Sequence, residues 1–489
     1  MLPVIIIIYL LISAVVILHA KNNAAVKRRS LEAHVLAFAA SIALLVMVGA
    51  DGTISLAIGQ EPWNFHMTVT PMSAFMVSLF TGVGLLVVWA SFSMIEYDVE
   101  EQRIAMYYAL VCVLIAALCG VVMFGNLFNI FLLMEISSFA AAGLVIIRNR
   151  PENMRAGLKY LTLSILGSGF ILMGIIIFYT LTGALTHSYI NAGLLENITG
   201  REYYLRNALV FITVGTALKS GLFPMHIWVP DAYGEAPNAS SALLSGLVQK
   251  AYIYVYIMIL YKAIGADILF SYSGTSSVLF VLMVVSAMAM LAGSFMALLQ
   301  SDIKRMIAYS SVAQVGYFFL GIGLGSQIGL FAVFFHFLAH AITKAMLFLA
   351  AGSVIQTTNN RELEKLGGIG TKMRVTMAIF TLGSLSMVGI PLLIGFNSKW
   401  FFAMGIMDSS HIWLLVVLGI SSLLNGCYYL PVAVRAFLGK PDEADTTLPA
   451  ERPVRHLAPI ICMATLVVAL AVFGGAVNAY IEMGVGYIW

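Results

Sequence analysis

Stretches of apolar sequence recur along this chain at about the 20-residue length that crosses a bilayer as a helix. About 14 of them can be drawn, near residues 2–19, 34–50, 71–92, 104–122, 125–147, 157–183, 206–227, 239–262, 277–299, 303–323, 326–356, 373–407, 411–436 and 457–482. Nothing else constrains the fold as strongly, because a backbone in hydrocarbon must satisfy its own hydrogen bonds. The expected fold is all-α, a polytopic membrane protein of about 14 transmembrane helices. Composition agrees: 10% of the residues are charged, against about 25% in a soluble domain. The net charge of +3 gives a nucleic-acid partner no support. The lipid bilayer is the expected surrounding, and the apolar Leu2–Leu18 reads as a retained span because no basic region precedes it. The longest polar stretches are 184–205, 357–372 and 437–456.

Four lysines and one glutamate fall inside these spans: Lys219, Lys250, Lys344, Lys399 and Glu135. Each costs roughly 2.5–3.5 kcal/mol at the bilayer centre on insertion scales. They are expected to face a protein interior or water, and to mark a proton path. The other Lys and Arg residues test the topology. With the N-terminus outside, nineteen of the 26 fall in inside loops, Lys304 and Arg305 among them. Arg201, Arg206 and Lys262 fall outside. Both termini are then expected outside.

Two spans are interrupted. Lys219–Pro224 reads KSGLFP, and Gly389–Lys399 reads GIPLLIGFNSK. Proline removes a backbone donor and clashes with the preceding turn, so Pro224 and Pro391 are expected to break their helices. Broken helices in matching positions of two halves point to an ion site on an inverted repeat; two ordinary proline kinks are the plainer alternative.

Glu135, in LLMEISSF (132–139), is the one acid well inside a span. Lys219 is its natural partner, with a purely structural ion pair as the alternative. Desolvation disfavours the charged form of an amine, and a carboxylate at 4 Å restores about 4 kcal/mol at an effective dielectric near 20. Moving the two relative to each other would therefore gate proton uptake. His336, His340 and Lys344 follow at i, i+4 and i+8, a polar stripe climbing about 6 Å per step. The stripe suits a proton relay, although a lone buried histidine is usually a core residue. Because one helical turn separates side chains by about 6 Å, His336, His340, Lys344, Lys250 and Lys399 are expected to form one lateral chain with Lys219, bridged by water and not in direct contact. Lys250 sits mid-span, placed to link Lys219 to the stripe. Tyr252, Tyr254 and Tyr256 read as packing.

Other chemistry finds no support. A zinc site at the histidines lacks further ligands nearby. There is no Walker A motif and no haem or iron–sulfur ligand set. Gly321–Gly325 (GIGLG) reads as close helix packing or a turn. Cys112, Cys119, Cys427 and Cys462 read as buried small hydrophobes. No metal, cofactor or catalytic residue is expected.

Three blocks carry a resemblance: PMHIWVPDAYGEAP (224–237) followed by SSALLSG (240–246), DIKRMIAYSSVAQVGY (302–317), and HAITKAMLFL (340–349). Together they resemble the antiporter-like membrane subunits of respiratory complex I, Mrp-type cation/proton antiporters and group 4 membrane-bound hydrogenases. The resemblance extends from about residue 70 to 440. It implies helices 1–3 in 1–103, inverted five-helix repeats at 104–262 and 277–436, and a C-terminal loop and helix in 437–489. It implies that Glu135 and Lys219 form a modulated ion pair, that Lys250, His336, His340 and Lys344 continue the axis, and that Lys399 ends it. It further implies partner membrane subunits, including other antiporter-like ones, in the cell membrane of a bacterium or archaeon. The family often has a second proline where Leu392 stands, so the second break is expected to differ locally. The transported ion would be the proton, with sodium as an addition. Three functions stay open: a pumping module of a redox complex, an Mrp-type antiporter component of the D type with no redox partner, and a structural subunit with a vestigial axis, against which the full set of ionisable residues argues.

Overall fold

A computed structural model describes residues 1–440 and 451–489; the middle of the polar 437–456 stretch lies outside the described residues. The chain is a helical bundle. Among the described residues, eleven helices are long and apolar enough to cross a membrane, and Leu2–Leu18 and Arg374–Val388 are shorter apolar ones. Their starts are set by local chemistry. The Asn126 side chain accepts from Phe128 N and caps Leu127–Ile146, and Asp302 caps Ile303–Gly323 in the same way.

Small residues let two of the helices that matter here come close. A Cβ on Gly215 would lie 2.5 Å from the Gly167 carbonyl oxygen, so Pro151–Thr182 and Glu202–Ser220 pack backbone to backbone. That approach lays the serines of the first helix against Lys219 at the end of the second. Gly321 is as crowded, with Val333 Cγ2 at 2.5 Å from such a Cβ, and Gly325 turns at φ +59°, so the glycine run is packing and a turn.

Most of the basic residues gather at one end of the bundle, and many are paired there: Lys27 with Glu96 at 2.5 Å, Lys159 with Asp231 at 2.7 Å, Arg305 with Asp231 at 2.8 Å, Arg361 with Asp302 at 2.8 Å, and Arg148 with Asp98. Lys304 departs from the loop reading: it is buried, and its Nζ donates to the Ala236 carbonyl at 2.5 Å. The opposite end carries an antiparallel hairpin, Ile54–Ile58 with Phe65–Val69, and the helix His187–Asn197 inside a stretch that reads as a polar loop.

Two further expectations change. The last span is two helices, Val454–Val472 and Gly475–Ile488, because Gly474 and Gly475 together disfavour a continuous helix. The segment 373–407 is two helices, Arg374–Val388 and Ile394–Met407, broken around Pro391 as its sequence predicts. Cys112 and Cys119 are buried, but Cys427 and Cys462 are exposed on the bundle surface, where hydrocarbon takes the place of a protein core.

Candidate functional site: a buried polar axis

The first break places Lys219. Its helix ends at Ser220, and Gly221 takes a left-handed φ of +74°, which a side chain would oppose both by strain and by meeting Val229 Cγ2 at 2.4 Å. The carbonyls released by the break are bonded by side chains. Trp228 Nε1 donates to Leu218 O at 2.9 Å, and Gln249 Nε2 donates to Ser220 O at 2.8 Å. Lys219 Nζ is left free to donate to Glu135 Oε1 at 2.9 Å, Ser138 Oγ at 2.9 Å and Ser164 Oγ at 3.1 Å. It also lies 5.2 Å from the centroid of the Tyr252 ring. Ser168 donates to the same Glu135 carboxylate. Lys219 is fully enclosed, whereas the Glu135 side chain is 19% exposed, on the bundle's outer face.

The middle of the axis is a direct contact. Lys250 Nζ lies 2.9 Å from His340 Nδ1 and donates to Ser245 O at 3.1 Å. Water is not needed between these two, because they come from different helices that a single-helix rise does not describe. A π-helical turn at Leu244–Val248 ends two residues before Lys250, and such turns are frequent at functional sites. The His336 and His340 rings are 5.7 Å apart, and His336 Nδ1 bonds Ser398 Oγ at 2.7 Å. Lys344 turns aside from the histidines to Ile307 O at 3.1 Å, Tyr429 OH at 3.2 Å and Ser310 Oγ. All four of these axis residues are buried.

The second break places Lys399. Gly389 is left-handed at φ +94°, and Leu392 at +70°. Lys399 Nζ donates to Val388 O at 2.8 Å and Ser422 Oγ at 2.9 Å, and Asn425 donates to Met387 O at 3.2 Å. Lys399 is less enclosed than the other three lysines.

A cavity of about 10 Å³ lies among Gln314, His336, His340, Thr343 and Lys399. That is the lower bound of the space one water needs. Both Gln314 side-chain heteroatoms, Thr343 Oγ1 and the Nε2 atoms of both histidines are buried there without a protein partner. These groups can hold a water between the histidines and Lys399.

The geometry thus brings Glu135 to Lys219, Lys250 to His340, and the histidines to the cavity that Lys399 also lines. The hydrogen-bond partners of Lys219 do not include Lys250; Gln249 and the Tyr252 ring stand at that junction. The sequence reading missed Gln314, Thr343 and the serines. Gln314, an amide in an apolar span, carries a burial cost that would have marked it; a serine in a helix bonds its own preceding turn and leaves little mark. The three tyrosines are buried as expected, Tyr252 bonding Ser137 and Ser138, and Tyr256 bonding Thr213.

Comparison with known proteins adds what geometry cannot. A family model described as NADH:quinone oxidoreductase/Mrp antiporter, TM, matches residues 125–425. The chain is 33% identical over 457 residues to the N-type subunit of the NADH-quinone oxidoreductase of Desulforudis audaxviator, covering 88% of this chain and 89% of that protein. It is 28% identical over 471 residues to the D-type subunit of the Na(+)/H(+) antiporter of Alkalihalophilus pseudofirmus, covering 95% of this chain and 92% of that one. Among solved structures, a chain of the membrane-bound sulfane sulfur reductase, an archaeal respiratory membrane complex, superposes with a TM-score of 0.90 at 26% identity, covering 99% of this chain and 97% of that chain.

Proposed function

The chain belongs to the NADH:quinone oxidoreductase/Mrp antiporter transmembrane family, and on that premise we propose that it is the proton-translocating, antiporter-like subunit of a redox-driven membrane complex, one resembling complex I or a group 4 hydrogenase. Protons move through Glu135, Lys219, Lys250, His340, His336 and Lys399, with Lys344 as a side branch. The observation that carries this reading is the Lys219–Glu135 pair, at 2.9 Å and at the end of a broken helix. Its two members sit on different helices, so a small helix displacement changes the charge environment of the lysine.

The reading includes about 14 spans, inverted repeats at 104–262 and 277–436 with one break in each, and both termini on the outer face of the cell membrane. The partial exposure of Glu135 at membrane depth supports a neighbouring membrane subunit. An ionised carboxylate facing hydrocarbon costs several kcal/mol on the scale of about 2.5–3.5 per charge, and a polar neighbour would relieve it.

The near full-length match to a D-type antiporter component favours a second reading, an Mrp-type exchanger with no redox partner and with sodium as the counter-ion. Inverted membrane vesicles separate the two. Proton uptake that follows quinone or hydrogen turnover supports the first, and pH recovery driven by a sodium gradient without a redox substrate supports the second. In either assay Glu135→Gln keeps the shape and removes the charge, so transport is lost at normal complex abundance. Wild-type transport by that variant removes the pair from the mechanism.

A further inference from the structure

A groove of about 320 Å³ runs along the outside of the first broken helix, between Glu202–Ser220 and Ser273–Leu298. Its walls are apolar and regular: Val210, Val214 and Ala217 on one side, Val278, Val281 and Val285 on the other. Its deep end is the break itself, Leu222–Met225. Its shallow end is Arg206, whose stem lies against Gly274; a Cβ there would sit 3.3 Å from Arg206 Cδ.

Arg206 is chemically unusual for its place. Among the described residues no carboxylate pairs with it, and its charged group instead faces the Tyr203 ring, whose centroid lies 5.3 Å from the guanidinium carbon. Tyr203 and Tyr204 beside it are both exposed, at 59% and 54%, as aromatic residues are at the headgroup level of a bilayer. From Arg206 to Ala217 the helix rises about 16 Å, about half of a 30 Å hydrocarbon core. The groove therefore spans one leaflet, with a cation at the headgroup depth and an apolar trough from there to mid-membrane.

We propose that this groove binds one glycerophospholipid, its phosphate on the Arg206 guanidinium and one acyl chain in the trough against Phe223 and Pro224. Charge complementarity and length fix the occupant. Guanidinium matches phosphate in a fork geometry, and the trough ends where one leaflet ends. The site lies beside the break that positions Lys219, so its occupant packs on the segment that must move if Lys219 and Glu135 separate.

The test uses the assembled complex in phosphatidylcholine vesicles doped with phosphatidylglycerol carrying a photoactivatable diazirine in mid-chain, with adducts mapped by mass spectrometry. The expected result is a dominant adduct on peptides containing Phe223 or Val281. Arg206→Ala should lower that adduct about fivefold, the effect of about 1 kcal/mol per basic residue at a lipid surface. Arg206→Lys keeps the charge but loses the fork, so it should lower the adduct by less than Arg206→Ala does, and Val281→Trp, which fills the trough from a lipid-facing helix, should remove it at unchanged abundance. Three results overturn the proposal: labelling spread evenly over all lipid-facing helices, labelling unaffected by Arg206→Ala, or labelling seen in the isolated chain but lost in the complex, which would assign the groove to a neighbouring subunit.

Discussion

The two broken helices solve one problem in two ways. Each break frees backbone carbonyls at membrane depth, and each carbonyl needs a donor. At the first break Trp228 and Gln249 supply the donors, so the lysine beside them spends its hydrogen bonds on a carboxylate and two serines. At the second break Lys399 itself is a donor, to Val388 O, with Asn425 bonding the neighbouring carbonyl. The first lysine thus answers to a charge on another helix. The second answers to the negative end of a half-helix in its own span, and no carboxylate is among its hydrogen-bond partners. The two lysines therefore sit in different electrostatic settings. Lys219 suits the step that senses a neighbour's displacement, and Lys399 suits a terminal step whose surroundings are fixed by backbone.

Removing the sensing lysine should have the largest effect. Lys219→Ala is expected to abolish transport, and Lys219→Arg is not expected to restore it, because arginine keeps its proton in a protein. Proton flux in vesicles, normalised to complex abundance, reads both; substantial flux through Lys219→Arg would show that only the positive charge matters there. Next comes the link between the breaks. His336→Ala/His340→Ala should reduce flux at least tenfold, which corresponds to about 1.4 kcal/mol on the barrier. Full flux in the double variant would mean that the two lysines work independently.

The carbonyl donors should matter less to flux and more to stability. Gln249→Leu leaves Ser220 O without its partner and should destabilise the chain by about 1–3 kcal/mol, seen as a lower melting temperature of the purified complex. An unchanged melting temperature would mean that the first break does not depend on side-chain donors, and the contrast with the second break would fall. The smallest expected change is a gain. Leu392 holds φ +70° with 73% of its surface exposed, so Leu392→Gly should relieve strain of about 1 kcal/mol and raise the melting temperature slightly. A drop instead would show that the leucine packs against something outside this chain.

Much of the site could be read in one dimension because the cost of a charge in hydrocarbon is a property of single residues. Lys219, Lys250, Lys344, Lys399 and Glu135 stood out for that reason, and the breaks stood out because proline and glycine carry their backbone limits with them. What stayed hidden depends on register between helices. The direct Lys250–His340 contact joins two different helices, with a π-helical turn at Leu244–Val248 just ahead of that lysine. The burial of Lys304 requires the Ala236 carbonyl from a different segment; a lysine at a helix start otherwise looks like a loop residue. The hairpin at Ile54–Val69 was concealed by its length, since five-residue strands leave little periodic signal beside long apolar helices.

The cavity between the histidines and Lys399 bears on how a proton can pass along this segment. A chamber of about 10 Å³ admits about one water and no more. Charge can cross it by relay, each group passing a proton to the next and taking another. In this conformation the segment suits a relay through one water, with Gln314 and Thr343 offering it hydrogen-bond partners.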